Sequence, residues 1–151
     1  YAIERIGVAI RDELLKVTLK EGLGTMRILV VDDNEQMRET LKLMLKTAGH
    51  EVSDAANGKI ALHLQKMMPA DLLITDIIMP EMEGIELIIN IRKIDPRVKI
   101  IAISGGGKID PYLCLDVAGK LGADRILQKP FSQATLMSII SELFPDSNLN
   151  H

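Results

Sequence analysis

Between Met26 and Phe144 the sequence switches five times from a short apolar run to a stretch whose apolar residues recur three and four apart. Few architectures accept that alternation. Arg27–Val31 precedes Met37, Leu41, Met44, Leu45 and Ala48 at helical spacing, with Gly49 as the stop. His50–Ala55 is more polar, which marks an edge strand, and Ile60, Leu64 and Met67 trace the helix after Asn57-Gly58. Asp71–Thr75 leads into Leu87, Ile88, Ile91 and Ile94, closed by Asp95-Pro96. Lys99–Ser104 precedes Leu113, Val117 and Leu121, and Arg125–Gln128 precedes Leu136, Ile139, Ile140 and Leu143. Five such repeats, with strands apolar on both faces, predict a doubly wound α/β domain: a parallel sheet covered by helices on each side.

The chain divides into three parts on this reading. Residues 1–25 carry Ile3, Ile6, Ile10, Leu14 and Val17 on one helical face and end in the Gly22 and Gly24 breaks, so they predict an extra amphipathic helix ahead of the domain. That helix is either native upstream sequence or an addition before a start at Met26, and its apolar face is expected to pack on the domain or on a second copy. Residues 26–144 form the domain, and 145–151 a polar tail. A length of 151 residues suits one domain. With 3% aromatic residues and no Trp, the core has to be aliphatic.

A net charge of -3 gives no electrostatic footprint for nucleic acid or an anionic membrane. No apolar run approaches the roughly 18 residues of a membrane span. The single Cys114 cannot form an internal disulfide. A cytoplasmic protein is the expectation.

In doubly wound sheets ligands bind outside the carboxyl ends of the strands. Asp32, Asp33, Asp76, Ser104 and Lys129 all fall there, contributed by four strands. Asp32-Asp33 precedes a helix, where capping is the ordinary role of a carboxylate. With Asp76 nearby, three carboxylates would repel one another unless a divalent cation sat among them; oxygen ligands in an open site suit Mg²⁺. Asp76 could simply cap a turn, but a carboxylate beside a hard cation can also act as a nucleophile toward phosphorus. Lys129 can place a point charge on a phosphoryl oxygen, and the Ser104 hydroxyl can hydrogen-bond the same group.

Other candidates carry less. Gly105-Gly106-Gly107-Lys108 lacks the earlier glycine and the following Ser or Thr of a phosphate-binding loop. His50, His63 and His151 have no ligand-spaced neighbours and read as surface residues, Met79 and Met82 as packing, and Cys114 as a small core or boundary residue.

Val30-Val31-Asp32-Asp33-Asn34, the stretch from Asp76 to Gly84, Ser104 after its strand and Lys129-Pro130-Phe131 together resemble the receiver domain of bacterial two-component response regulators, over Met26 to about Phe144. The resemblance implies a flavodoxin-like fold with strand order 2-1-3-4-5 and Asp76 as phosphoacceptor. The donor would be the phosphohistidine of a sensor histidine kinase, or a phosphotransfer protein, and the output would be contact with a downstream protein. It further implies Mg²⁺ bound directly by Asp33, by Asp32 through water or from outside the ligand sphere, by Asp76 and by the backbone carbonyl of Ile78, with Lys129 on the phosphoryl group. Self-catalysed transfer, without turnover of a separate substrate, is the implied chemistry. A homodimer through the N-terminal helix, or through the face of the helix after Ser104 and the last helix, is a further expectation.

Two departures stand out. Ile126 occupies a position where many receivers carry Tyr or Phe as a rotamer switch, and the connection Gly105–Asp110 is longer than usual. The loop and helix after Ser104 are therefore expected to respond to phosphorylation in place of an aromatic swing. Two competing functions share the fold: an adaptor that works without phosphorylation, and a flavodoxin-type electron carrier. Retention of all five polar residues counts against the first. Asp32-Asp33, where a flavin phosphate would sit, counts against the second.

Overall fold

The computed structural model describes residues 24–77, 79, 83–105, 116 and 119–145. Within them the strands are β1 Arg27–Val31, β2 Glu51–Ala55, β3 Leu72–Asp76, β4 Lys99–Ser104 and β5 Arg125–Gln128. The helices are α1 Glu35–Thr47, α2 Gly58–Met67, α3 Gly84–Ile94 and α4 Gln133–Leu143. All four strand pairings are parallel, and the sheet runs β2-β1-β3-β4-β5, the order that the resemblance implies. β2 lies at the edge, as its polarity predicts. The extra N-terminal helix, Leu113, Val117, Cys114, Met82 and His151 lie outside the described residues; of the helix expected through Leu113, Val117 and Leu121, Asp116 and residues 119–121 are described, and they are helical.

Alternation along each strand explains why both faces of the sheet are covered. Leu29 and Val31 of β1, Leu73 of β3 and Ile100 and Ala102 of β4 join Ala61 of α2 and Leu87, Ile88 and Ile91 of α3 in one core. Ile28, Val30, Leu72, Ile74, Ile101 and Ile103 face the other way, onto Leu41 and Leu45 of α1 and Leu136 and Ile140 of α4. Each fully buried Leu or Ile stabilises the fold by roughly 1.5–3 kcal/mol, so a purely aliphatic core suffices.

Helix starts follow local chemistry. The Asn34 and Asn57 side chains accept from the backbone N–H of Met37 and Ile60, and Ser132 from Thr135. Gly49, at φ 96, follows the C-cap of α1.

Two sequence expectations are corrected. On α2 the inward face is Gly58, Ala61 and Gln65, with Ile60 and Met67 left 45% and 69% exposed. Gln65 holds the inward position because its side-chain amide bonds both backbone groups of Ala70 and the Asp95 carboxylate. His50 is not a surface residue: it is buried, its Nδ1 accepting from the Met26 N–H at 3.4 Å. His63 is exposed and Met79 buried, as expected.

Candidate functional site

Strand register assembles the polar residues at one end of the sheet. Val31 pairs with Thr75, Asp76 with Ile103 and Ser104 with Gln128, so the residues that close or follow β1, β3, β4 and β5 emerge side by side. The backbone extends this stitching: Asp32 N–H donates to the Ala55 carbonyl, Ile77 N–H to Ile103 and Lys129 N–H to Ser104. Side chains that the chain separates by nearly a hundred positions thus meet.

Asp32 is buried, Asp76 half-buried and Asp33 exposed, and one carboxylate oxygen from each lies within 4.8 Å of the others. Lys129 Nζ stands 3.3 Å from Asp32 Oδ2 and 3.1 Å from Asp76 Oδ2. Burial pulls the Lys129 pKa down, but the hydrogen bond to Asp76 and the negative charge of Asp76 and Asp32 outweigh it and hold the ammonium above its usual range. It stays charged at neutral pH. Among the described residues one lysine faces three carboxylates, and the hard oxygen donors around it suit a divalent cation such as Mg²⁺. Ser104, buried at 5% exposure, ends β4 one step beyond the partner of Asp76. Ile78 lies outside the described residues.

Neither aspartate of the pair caps the helix that follows. That role falls to Asn34, whose own N–H donates to Asp32 Oδ1 at 2.9 Å. Asp32 and Asp33 are therefore released from the ordinary duty of carboxylates at this position. Arg38 on α1, to which no sequence motif pointed, donates to the Asp32 carbonyl at 2.9 Å and to Asp54 Oδ2 at 3.0 Å. Lys42 adds a second cation 3.3 Å from Asp54. Asp54 and Glu39 hold the Lys42 pKa up, the Glu39 hydrogen bond foremost.

Gly84 is a second residue whose reason is visible only in three dimensions. A Cβ there would lie 1.9 Å from the Asp76 carbonyl oxygen, so the first turn of α3 rests directly on the backbone of Asp76. The Gly84 N–H donates to Ile77 at 2.7 Å, and Thr75 Oγ1 donates to that same Asp76 carbonyl.

Ile126 is half-buried and packs against the α2–α3 core. Among the described residues, only the Lys129 side chain lies within reach of a Cβ added at Gly105; positions 106–110 lie outside them. A groove of about 530 Å³ lined by Lys99, Asp124, Arg125, Glu142 and Phe144 opens at the other end of the sheet, away from the carboxylates.

A doubly wound parallel sheet with three carboxylates and a lysine at its switch point defines a class: small α/β modules with a polar ligand crevice outside the carboxyl ends of their strands. The chain belongs to the response regulator receiver domain family, which it matches over residues 28–141. It is 38% identical to the chemotaxis protein CheY of Thermotoga maritima over 118 residues, covering 78% of this chain and 96% of that one. It is 36% identical to the response regulator receiver protein CpdR of Brucella abortus, covering 78% and 95%. Among solved structures, a CheY-like receiver domain protein from Methanospirillum hungatei superposes with a TM-score of 0.75 at 28% identity, covering 84% of this chain and 99% of that one. The chain is thus a phosphoacceptor module of two-component signalling.

Proposed function

We propose that Asp76 is the residue that takes the phosphoryl group, with Lys129 and Ser104 as its partners and Asp32 and Asp33 as the main holders of Mg²⁺. The observation that carries this reading is the shared grip of Lys129 Nζ on Asp76 and Asp32, with Asp33 close by. An Asp76 oxygen attacks phosphorus as the bond to the donor's nitrogen breaks, and an acyl phosphate forms. Lys129 follows the negative charge from the carboxylate onto a phosphoryl oxygen; the Ser104 hydroxyl donates to another. When bound, Mg²⁺ neutralises charge on the phosphoryl oxygens and lowers the repulsion among the three carboxylates.

No separate substrate is turned over, so the module is a switch and not an enzyme in the usual sense. The donor is the phosphohistidine of a sensor kinase or a phosphotransfer protein, and the output is contact with a downstream protein. A cytoplasmic address accompanies that donor; no helix among the described residues is long and apolar enough to cross a membrane. Residues 26–144 are the working unit.

Incubation with acetyl phosphate, with and without Mg²⁺, followed by intact mass, tests the reading. A Mg²⁺-dependent phosphate adduct is expected, and Asp76→Asn should abolish it. No adduct on the wild-type chain would turn the reading toward an adaptor that works unphosphorylated.

A further inference from the structure

Arg38 makes two contacts that none of the site's expected chemistry requires. Its Nη1 donates to the carbonyl of Asp32, which belongs to the peptide group joining Asp32 to Asp33, and its Nε donates to Asp54 Oδ2 at the end of β2. The Arg38 side chain is 15% exposed, so the guanidinium lies largely within the protein. A fixed cation near three carboxylates would compete with a metal ion for them unless its charge were neutralised elsewhere, and the Arg38 guanidinium is paired with Asp54.

We propose that Arg38 is a positioning residue for the metal-binding turn: it fixes the Asp32–Asp33 peptide so that the exposed Asp33 carboxylate is presented to the cation, while Asp54 neutralises its charge. The inference rests on the reading of Asp32 and Asp33 as Mg²⁺ holders. Asp32 is anchored by its N–H on Ala55, by Oδ1 on Asn34 N–H and by Oδ2 on Lys129. None of those bonds touches the carbonyl that precedes Asp33; Arg38 supplies it. The planar fork of the guanidinium lets one side chain serve two acceptors in fixed directions, which a lysine ammonium on a flexible stem does not do. Asp54, paired with Val30 in register, is itself fixed by the sheet, so the Arg38 bridge ties the turn to β2.

Outer partners of metal ligands commonly account for about 10–100-fold in metal affinity. Arg38→Met is therefore expected to weaken Mg²⁺ binding, measured by calorimetry, about tenfold, and to speed hydrogen exchange of the Asp32 and Asn34 amides in metal-free protein. Phosphorylation by acetyl phosphate should slow at low Mg²⁺ and recover at high Mg²⁺. A loss of less than about fivefold, or tighter binding because a repelling charge has gone, overturns the proposal. Should Arg38→Met fail to fold, Arg38→Lys keeps the charge without the fork, and wild-type affinity in that variant overturns the proposal equally. A wild-type chain that binds Mg²⁺ but takes no phosphate would sink the phosphoacceptor reading alone, leaving the affinity comparison decisive for Arg38. A wild-type chain that binds no Mg²⁺ sinks both.

Discussion

His50 shows how a single residue can belong to the fold and not to the chemistry. Burial alone depresses its pKa, and among the described residues its Nε2 has no hydrogen-bond partner. The neutral form is therefore built into the folded state. Below the unfolded value of about 6.5, the unfolded chain takes up a proton that the folded one resists. The stability linked to His50 is thus complete above about pH 6.5 and is lost as the pH falls through the depressed folded value. Urea midpoints of wild type and His50→Gln should run parallel from about pH 8 to about pH 6.5 and then diverge, the wild type losing more. Parallel curves down to about pH 5 would show that His50 is not buried neutral. Nothing in the sequence around His50 marks it as buried, since it follows Gly49 at the start of a polar edge strand. The contrast with Asp76 is instructive: an aspartate directly after Leu72–Thr75 announces itself, because a charge that ends an apolar run needs partners.

At the scale of elements, the five strands and the four helices α1 to α4 were legible in their order along the chain, because apolar periodicity records which residues must leave water. The face that α2 presents was not, because Gln65 is buried by hydrogen bonds and Met67 exposed, against their hydrophobicity. Nor did the sequence disclose close approaches. Gly84 sets α3 on the Asp76 carbonyl, so Gly84→Ala should cost about 1–3 kcal/mol and disturb the turn that carries Asp76; a urea midpoint within error of wild type would refute the close contact. At the other end of α3, Arg92 donates to the carbonyls of Pro96, Val98 and Gly122 and to Asp124 Oδ2, which also accepts the Ile100 N–H. Gly122 sits at φ 119 with Arg92 atoms 3.0 Å from where a Cβ would stand. This knot joins α3 to the entries of β4 and β5. Arg92→Met should cost about 1–3 kcal/mol while leaving the Mg²⁺ affinity unchanged, since the knot lies at the far end of the helix from Asp76. A change in Mg²⁺ affinity without one in stability would contradict that division.

Across the whole molecule, the two ends of the sheet differ in kind. Among the described residues, one carries neutral and paired groups such as His50 and Arg92, the other three clustered carboxylates around Lys129. The folded chain therefore carries local repulsion that the unfolded chain relieves by separating Asp32, Asp33 and Asp76. A cation that binds only the assembled cluster stabilises the fold by mass action, by about 2.7 kcal/mol at a concentration a hundred times its dissociation constant. The unfolding midpoint should accordingly rise with the logarithm of Mg²⁺ concentration once the site begins to fill. Potassium at equal ionic strength should not reproduce the rise, because screening acts on every exposed charge and not on this cluster in particular. Asp33→Asn should flatten the Mg²⁺ dependence while raising stability in chelator, since it removes both a ligand and one of the repelling charges. Were Asp33→Asn to keep the wild-type Mg²⁺ slope, the exposed aspartate would not be a ligand, and the cation would have to be held by Asp32 and Asp76 alone.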